Sequence, residues 1–178
     1  MKVAIIGSGI VGLTLAHTLT EKNIEVTIFE KEKDSLSHGT GRNSGVIHSG
    51  IYYKPNTLRS NLCIKGAKLM KKFIVDNNLY INNCGKLLLP KTKNDIETLK
   101  LLYERSKEVG VEAQKLNSIE EITRIEPNCN PLYNDALFIK DTAIADPKEV
   151  SNKLIEILKK RNVTVSYTHL RAHETLSY

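Results

Sequence analysis

Residues 2–6, KVAII, form an apolar run of the length expected for a buried parallel strand. Glycines stand at positions 7, 9 and 12. Around and beyond them Val11, Leu15 and Leu19 recur every four residues, which predicts a helix to about Lys22, with Ala16 keeping its contact with the strand small. Residues 25–29, EVTIF, predict a second strand, closed by Glu30. Together these elements make a βαβ unit of about 30 residues.

The later pattern alternates less regularly. A helix is expected over 57–76, with Leu58, Leu62, Leu69 and Phe73 towards a core, followed by a strand at 85–90. Ile96, Leu99, Leu102, Tyr103 and Val109 mark a helix over 94–109. A short helix at 118–125 opens on Ser118 with Glu121 three residues later, the spacing of a capping box. Residues 135–146 read as strand and turn. Asp146 and Pro147 then supply an N-cap and first-turn proline for a helix to about 161. Its buried stripe is Val150, Leu154, Ile157 and Leu158, and a strand begins at 163. The fold class is therefore α/β, with a Rossmann-type start and no internal repeat.

Composition narrows the picture. The chain has 178 residues, 40% hydrophobic and 26% charged, which suits a soluble globular chain of one domain or slightly more. No apolar run approaches the ~20 residues of a membrane span. The first 16 residues lack a basic leader and a small-residue cleavage site, so no signal peptide is expected. Cys63, Cys84 and Cys129 are odd in number and lack CxxC spacing, which fits free thiols in a cytoplasmic setting and disfavours a disulfide frame or zinc site. The net charge of +6 comes from scattered lysines; there is no Trp, and Arg is scarce. That pattern argues against nucleic acid and for a solvated lysine surface. An anionic ligand, or a peripheral contact with the inner face of the cell membrane, is the lesser alternative.

The glycines carry the first chemistry. Gly7 permits a tight turn, Gly9 lets backbone approach a diphosphate, and Gly12 lets the helix pack closely on the sheet. The helix N-terminus at Ile10 and Val11 offers unpaired N–H groups and partial positive charge to phosphate. Glu30, 18 residues after Gly12, can accept both hydroxyls of an adenosine ribose and would repel a 2′-phosphate. Lys31 follows it at the adenosine end. This motif leaves NAD against FAD open.

A second glycine segment, GTGRNSGVIHSG at 39–50, points to FAD. A flavin lays a flat ring against backbone, which needs positions without side chains, here Gly39, Gly41, Gly45 and Gly50. Asn43 and Ser44 can meet phosphate or ring oxygens. Val46 and Ile47 can cover an apolar ring face. Arg42 can pair with phosphate or a substrate carboxylate, or simply position the loop. His48 suits a catalytic base or substrate contact, with a purely bracing role as the alternative. Tyr52 and Tyr53 are candidate pocket residues, and Lys86 is a candidate carboxylate partner.

Taken with GSGIVG…IFEK, the block GRNSGVIHSGIYYKP resembles FAD-dependent oxidoreductases of the D-amino-acid oxidase and glycerol-3-phosphate dehydrogenase type. Within that superfamily the chain is most similar to L-2-hydroxyglutarate oxidases/dehydrogenases, with LCIKGAKLM, CGKLLLP and TAIADPKEV following in order. The resemblance implies oxidation of a small dicarboxylate hydroxy acid, L-2-hydroxyglutarate, to 2-oxoglutarate by hydride transfer to flavin, with electrons passed to oxygen or a quinone. It also implies a glutathione-reductase-like FAD domain built from residues 1–80 and 146–167, and an α+β substrate domain beginning in 81–145. Members of this family are considerably longer, so this chain is expected to be truncated, poorly soluble and weak in FAD binding. The stretch SYTHLRAHET is similar to translated sequencing-adapter read-through, which implies a non-native tail at 168–178. His169 and His173 in that tail have a spacing seen in metal sites, but no third ligand is suggested. Two rival readings are kept: the same fold acting on an amino acid, sarcosine or glycerol 3-phosphate, and a non-catalytic NAD- or FAD-binding module.

Overall fold

The computed structural model describes residues 1–167; the tail at 168–178, with His169 and His173, lies outside the described residues. In chain order the elements begin with β1 (Lys2–Ile6), α1 (Ile10–Glu21), β2 (Glu25–Glu30), a 3-10 turn (Gly39–Gly41) and β3 (Val46–Ile47). Then come α2 (Leu58–Asp76), β4 (Ile81–Asn82), β5 (Lys86–Leu88), α3 (Lys93–Val109), β6 (Ala113–Leu116) and α4 (Ile119–Ile125). The described chain closes with β7 (Ala136–Ile139), β8 (Ala143–Ala145), α5 (Pro147–Lys160) and β9 (Thr164–Tyr167). Two compact units result, one from Met1–Ser44 with the chain from Asp146 onward, the other from Gly45–Ala145.

The first unit is a parallel sheet in the order β1-β2-β9. Ile5 pairs in register with Ile28, and Ile28 with Val165. Ile5, Val26 and Ile28 are buried, as are Leu13 and Ala16 of α1 and Val150, Leu154 and Leu158 of α5. The α5 stripe is thus the one its periodicity predicts. Asp146 accepts from the Lys148 amide at 2.7 Å, and Pro147 needs no intrahelical acceptor. Arg161 ties the end of α5 to α1 by donating to the His17 carbonyl at 3.1 Å and the Thr20 hydroxyl at 3.0 Å.

In α1 the buried positions lie off the Val11, Leu15 and Leu19 repeat and include Ala16, as expected of the strand–helix contact. Leu13 and Ala16 are buried, whereas Val11 is 77% exposed and Leu15 is also exposed. Because α1 is apolar over most of its circumference, period alone leaves its phase open. Gly12 and Ala16 have the small side chains that let a helix approach a sheet, and Gly12 does so against Ile5.

The second unit holds two antiparallel three-stranded sheets, β3-β8-β4 and β5-β7-β6. One core cluster joins Ile51, Leu102, Val111, Leu137 and Ile139; another joins Leu116, Ile122 and Ala136. The helices are capped from the sequence. Thr92 and Asp95 form a reciprocal capping box, and Ser118 accepts from the Glu121 amide at 3.1 Å. The Glu121 carboxylate reaches the Asn117 amide rather than that of Ser118, at 2.7 Å. In α2 the expected stripe is again displaced: Ile74 and Ser60 are buried, Phe73 is half-buried, and Leu58, Leu62 and Leu69 are exposed.

The two units divide at Ser44 and Gly45, so residues 45–80 fall with 81–145 in the second unit. The cause is local. Val46 and Ile47 pair with Ile144 and Ala143, and Ile51 enters the cluster around Leu102.

Candidate cofactor-binding site

In the first unit, β1 runs straight into the first glycine turn. Gly7 has φ +98°, a left-handed value that glycine adopts at little cost, and its N–H donates to the Phe29 carbonyl of β2 at 2.7 Å. A Cβ on Gly12 would lie 2.0 Å from the Gly7 carbonyl oxygen. That contact is impossible without moving backbone, so the turn and the helix fit only because position 12 is bare. Gly9 caps α1 with no side-chain hydrogen bond of its own, and the first turn carries no acidic residue. The Ile10 amide donates to the Thr40 hydroxyl at 3.0 Å, which brings the 3-10 turn over the start of α1. The helix end keeps its partial positive charge for an anion, with the Ile10 N–H already given to Thr40 and the Leu13 N–H to the Gly9 carbonyl.

Glu30 closes β2 and is only 8% exposed. Its Oε2 accepts from the Ser8 amide at 2.7 Å and the Ser8 hydroxyl at 2.8 Å, and its Oε1 accepts from the Glu32 amide at 3.0 Å. Burial pushes its pKa up, but hydrogen bonds from Glu32, Ser8 and Lys31 outweigh that and hold it below the ordinary glutamate value. Glu30 is therefore an anion that fixes the glycine turn. Oε2 already accepts two bonds, so a sugar hydroxyl would be met by Oε1. The Ser8 hydroxyl, fully buried, also lies 2.7 Å from the Ser35 hydroxyl. Lys31 points to the surface, 3.7 Å from Glu32, which in turn meets His38 at 2.8 Å. An open groove of about 470 Å³ runs beside the turn, bounded by Val3–Gly7 and Gly9–Gly12, with Leu15 and Thr40.

The second glycine segment is braced differently. A Cβ on Gly41 would lie 2.1 Å from the Leu36 carbonyl oxygen, so the 3-10 turn also depends on a bare position. The Asn43 amide donates to the carbonyls of Thr40 at 2.9 Å and Gly39 at 3.3 Å. Asn43 thus holds the turn itself. Arg42, Asn43 and Ser44 have exposed side chains, and there the chain leaves the first unit.

In the second unit Gly45, at φ +69°, accepts from the Ala145 amide at 3.0 Å, and Val46 and Ile47 are half-buried in β3. His48 has an exposed side chain, and its carbonyl accepts from the Cys63 thiol at 3.6 Å. Gly50 has φ +87°, a left-handed value that strains any side chain, and a Cβ there would stand a tight 3.0 Å from the Ile64 side chain. The structure brings Tyr52 and Lys86 together, with the ammonium 4.6 Å from the ring centre. Arg105 donates to the Tyr52 carbonyl at 2.8 Å, and Arg59 lies 5.4 Å from the Tyr53 ring. Sequence reasoning missed Ser8, Thr40, Arg59 and Arg105. For Ser8 and Thr40 a usable signal was present: each is a hydroxyl residue set between two glycines. Arg59 and Arg105 gave none, since both sit in helices with ordinary surface charge patterns.

Bare positions 7, 9 and 12, an anion-ready helix end and a buried carboxylate at the end of the next strand fit the diphosphate and ribose of a dinucleotide. Known proteins agree. The chain is 44% identical over 152 residues, 84% of its length, to the protein called L-2-hydroxyglutarate dehydrogenase, mitochondrial, of Dictyostelium discoideum, of which it covers 34%. It is 34% identical over 165 residues to the L-2-hydroxyglutarate dehydrogenase of Escherichia coli O17:K52:H18, covering 92% of this chain and 38% of that protein. Among solved structures, the FAD-bound, dithionite-reduced L-alpha-glycerophosphate oxidase of Mycoplasma pneumoniae superposes with a TM-score of 0.79 at 27% identity, over 92% of this chain and 44% of that one. The chain thus spans little more than a third of the curated relatives it matches. The model of the FAD dependent oxidoreductase family matches residues 2–173, and the chain belongs to that family.

Proposed function

We propose that the protein to which this chain belongs oxidises L-2-hydroxyglutarate to 2-oxoglutarate, using FAD. The observation that carries this reading is the 44% identity to a protein of that name across most of the chain. When bound, FAD supplies the two-electron acceptor for the C2 hydrogen of the hydroxy acid. Gly7, Gly9, Ile10, Val11 and Gly12 would hold its diphosphate and Glu30 its ribose, with Lys31 at the adenosine end. Arg42, Asn43, Ser44, Gly45 and Val46 are assigned to the same cofactor.

The remaining roles belong to this chain's polar side chains. His48 is assigned the hydroxyl proton, because it follows the second glycine segment and a histidine side chain can serve as general base. Lys86 beside Tyr52 offers a cation for one carboxylate, and Tyr53 is assigned to the substrate pocket; Arg42 is the alternative carboxylate partner. Oxygen or a quinone takes the electrons, in a cytoplasmic protein with peripheral contact to the inner membrane face. No described helix is long and apolar enough to cross a membrane.

The test is anaerobic. The complete reading frame that contains this sequence, loaded with FAD, should lose its yellow colour on mixing with L-2-hydroxyglutarate. Sarcosine, glycine and glycerol 3-phosphate should act far more slowly. Equal or faster bleaching by one of those three would replace the substrate and keep the cofactor.

A further inference from the structure

A small pocket of about 80 Å³ opens in the second unit between α2, the turn from α3 to β6, and the segment that follows β3. Its walls include Ser49, Ile64, Lys68, Lys71, Val111 and Asp141. Ile64 and Lys68 also border an open groove of about 400 Å³, alongside Lys65, Leu69 and Val109. None of these residues is assigned above to FAD or to the substrate. We propose that the pocket is a site for a phosphoryl oxyanion, held between the Lys68 and Lys71 ammonium groups and the Ser49 hydroxyl.

Three observations support the site. The first is a buried hydroxyl. Ser49 is only 6% exposed, lines the pocket, and has no side-chain hydrogen bond to the described residues. A hydroxyl taken out of water costs free energy unless something bonds to it. The second is unbalanced charge. Lys68 and Lys71 are three apart on α2, a spacing that places two side chains on one face. Lys71 donates to the Asp141 carbonyl at 2.8 Å, which leaves two of its hydrogens free to bind an anion. Lys68 meets no carboxylate among the described residues, whereas Lys72 next to Lys71 is paired with Asp76 at 2.7 Å. The acid on the wall, Asp141, is spent on backbone, since its Oδ2 accepts from the Glu112 amide at 2.6 Å. The third is the surroundings. Ile64, Ala67 and Val111 make the rest of the wall apolar, which strengthens a charge-assisted bond formed there. A water molecule would satisfy Ser49 and leave both ammonium groups without a counterion; an oxyanion answers both needs. The pocket is too small for a nucleotide or a peptide. The adjoining groove, with Leu69 and Val109, has room for a short alkyl substituent, so the phosphoryl group can be free phosphate or the head of an ester.

The test titrates the complete protein that contains this chain with inorganic phosphate and with hexyl phosphate, by calorimetry, at an ionic strength held constant with sodium chloride. Phosphate should bind at a single site per chain and raise the melting temperature at millimolar concentration, where chloride does not. Lys68→Gln, at an exposed position that folding does not depend on, should weaken binding about tenfold, the worth of one charge-assisted hydrogen bond. Ser49→Ala should weaken it about fivefold. Lys72→Gln, whose ammonium is engaged with Asp76, should leave it unchanged. Tighter binding of hexyl phosphate would uphold the site and name an ester as its source; equal binding would uphold it with free phosphate. Failure of both compounds to bind at millimolar concentration would overturn it. Equal losses in Lys68→Gln and Lys72→Gln, or equal effects of phosphate and chloride, would mean diffuse screening and also overturn it. Phosphate binding that survives Lys68→Gln and is displaced by FAD would belong to the glycine turn, overturning the pocket site and leaving the cofactor reading intact.

Discussion

The two glycine segments use bare positions for different purposes. In the first turn the missing side chain at Gly12 lets two backbones touch, and a buried carboxylate, Glu30, locks Ser8 in place. Most of its polar groups are committed to the protein, and what it presents outward is a helix end. In the second segment Gly41 is equally tight, but Gly39 has nothing within 4 Å of a would-be Cβ, and Arg42 and Ser44 lie exposed. The first segment is a finished cradle. The second is a braced strap whose outward groups are available.

Substitution sharpens that difference. Gly12→Ala should cost about 4–5 kcal/mol, since a Cβ 2.0 Å from a carbonyl oxygen displaces backbone, whereas Gly39→Ala should stay within about 0.5 kcal/mol. Equal losses in urea titrations of the two variants would erase the distinction. Leu154→Ala, in the buried stripe of α5, should cost about 2–5 kcal/mol, and Leu62→Ala on the exposed face of α2 close to nothing. Glu30→Gln should cost about 1–3 kcal/mol by weakening the bonds from Ser8.

The Glu30 variant has a pH signature. The folded pKa is depressed, so the stability it contributes is present above the unfolded glutamate value and is lost as pH falls through the folded one. The acid limb of a stability profile should therefore flatten in Glu30→Gln and coincide with wild type at the lowest pH. Thr40→Val removes the acceptor for the Ile10 amide and should cost about 1 kcal/mol, the usual worth of a lost cap. An unchanged melting curve would mean that solvent replaces Thr40 at no cost.

Sequence alone gave the βαβ start, the five helices and the Asp146–Pro147 helix entry, because strong periods and caps are local signals. Strands β3 and β6 were illegible. The first has two residues, and the second, AQKL, has no clear alternation; both exist because β8 and β7 pair with them. Helix phase was the other failure. In α5 a single apolar stripe left one way to turn, whereas α1 is apolar around most of its surface and buries Leu13 together with the small Ala16, and α2 buries Ser60 and Ile74. At the site, the glycines and Glu30 were readable because their roles follow from backbone geometry. The Ser8 and Thr40 bonds, and the meeting of Tyr52 with Lys86, depend on contacts made across more than 20 residues of chain.

The most direct test is the colour and cofactor content of the complete gene product, purified gently and then supplied with FAD. The glycine turns and Glu30 predict a yellow protein that retains one FAD per chain and loses it in Gly12→Ala. A colourless protein that takes up no FAD, or a Gly12→Ala variant that keeps it, would contradict the account.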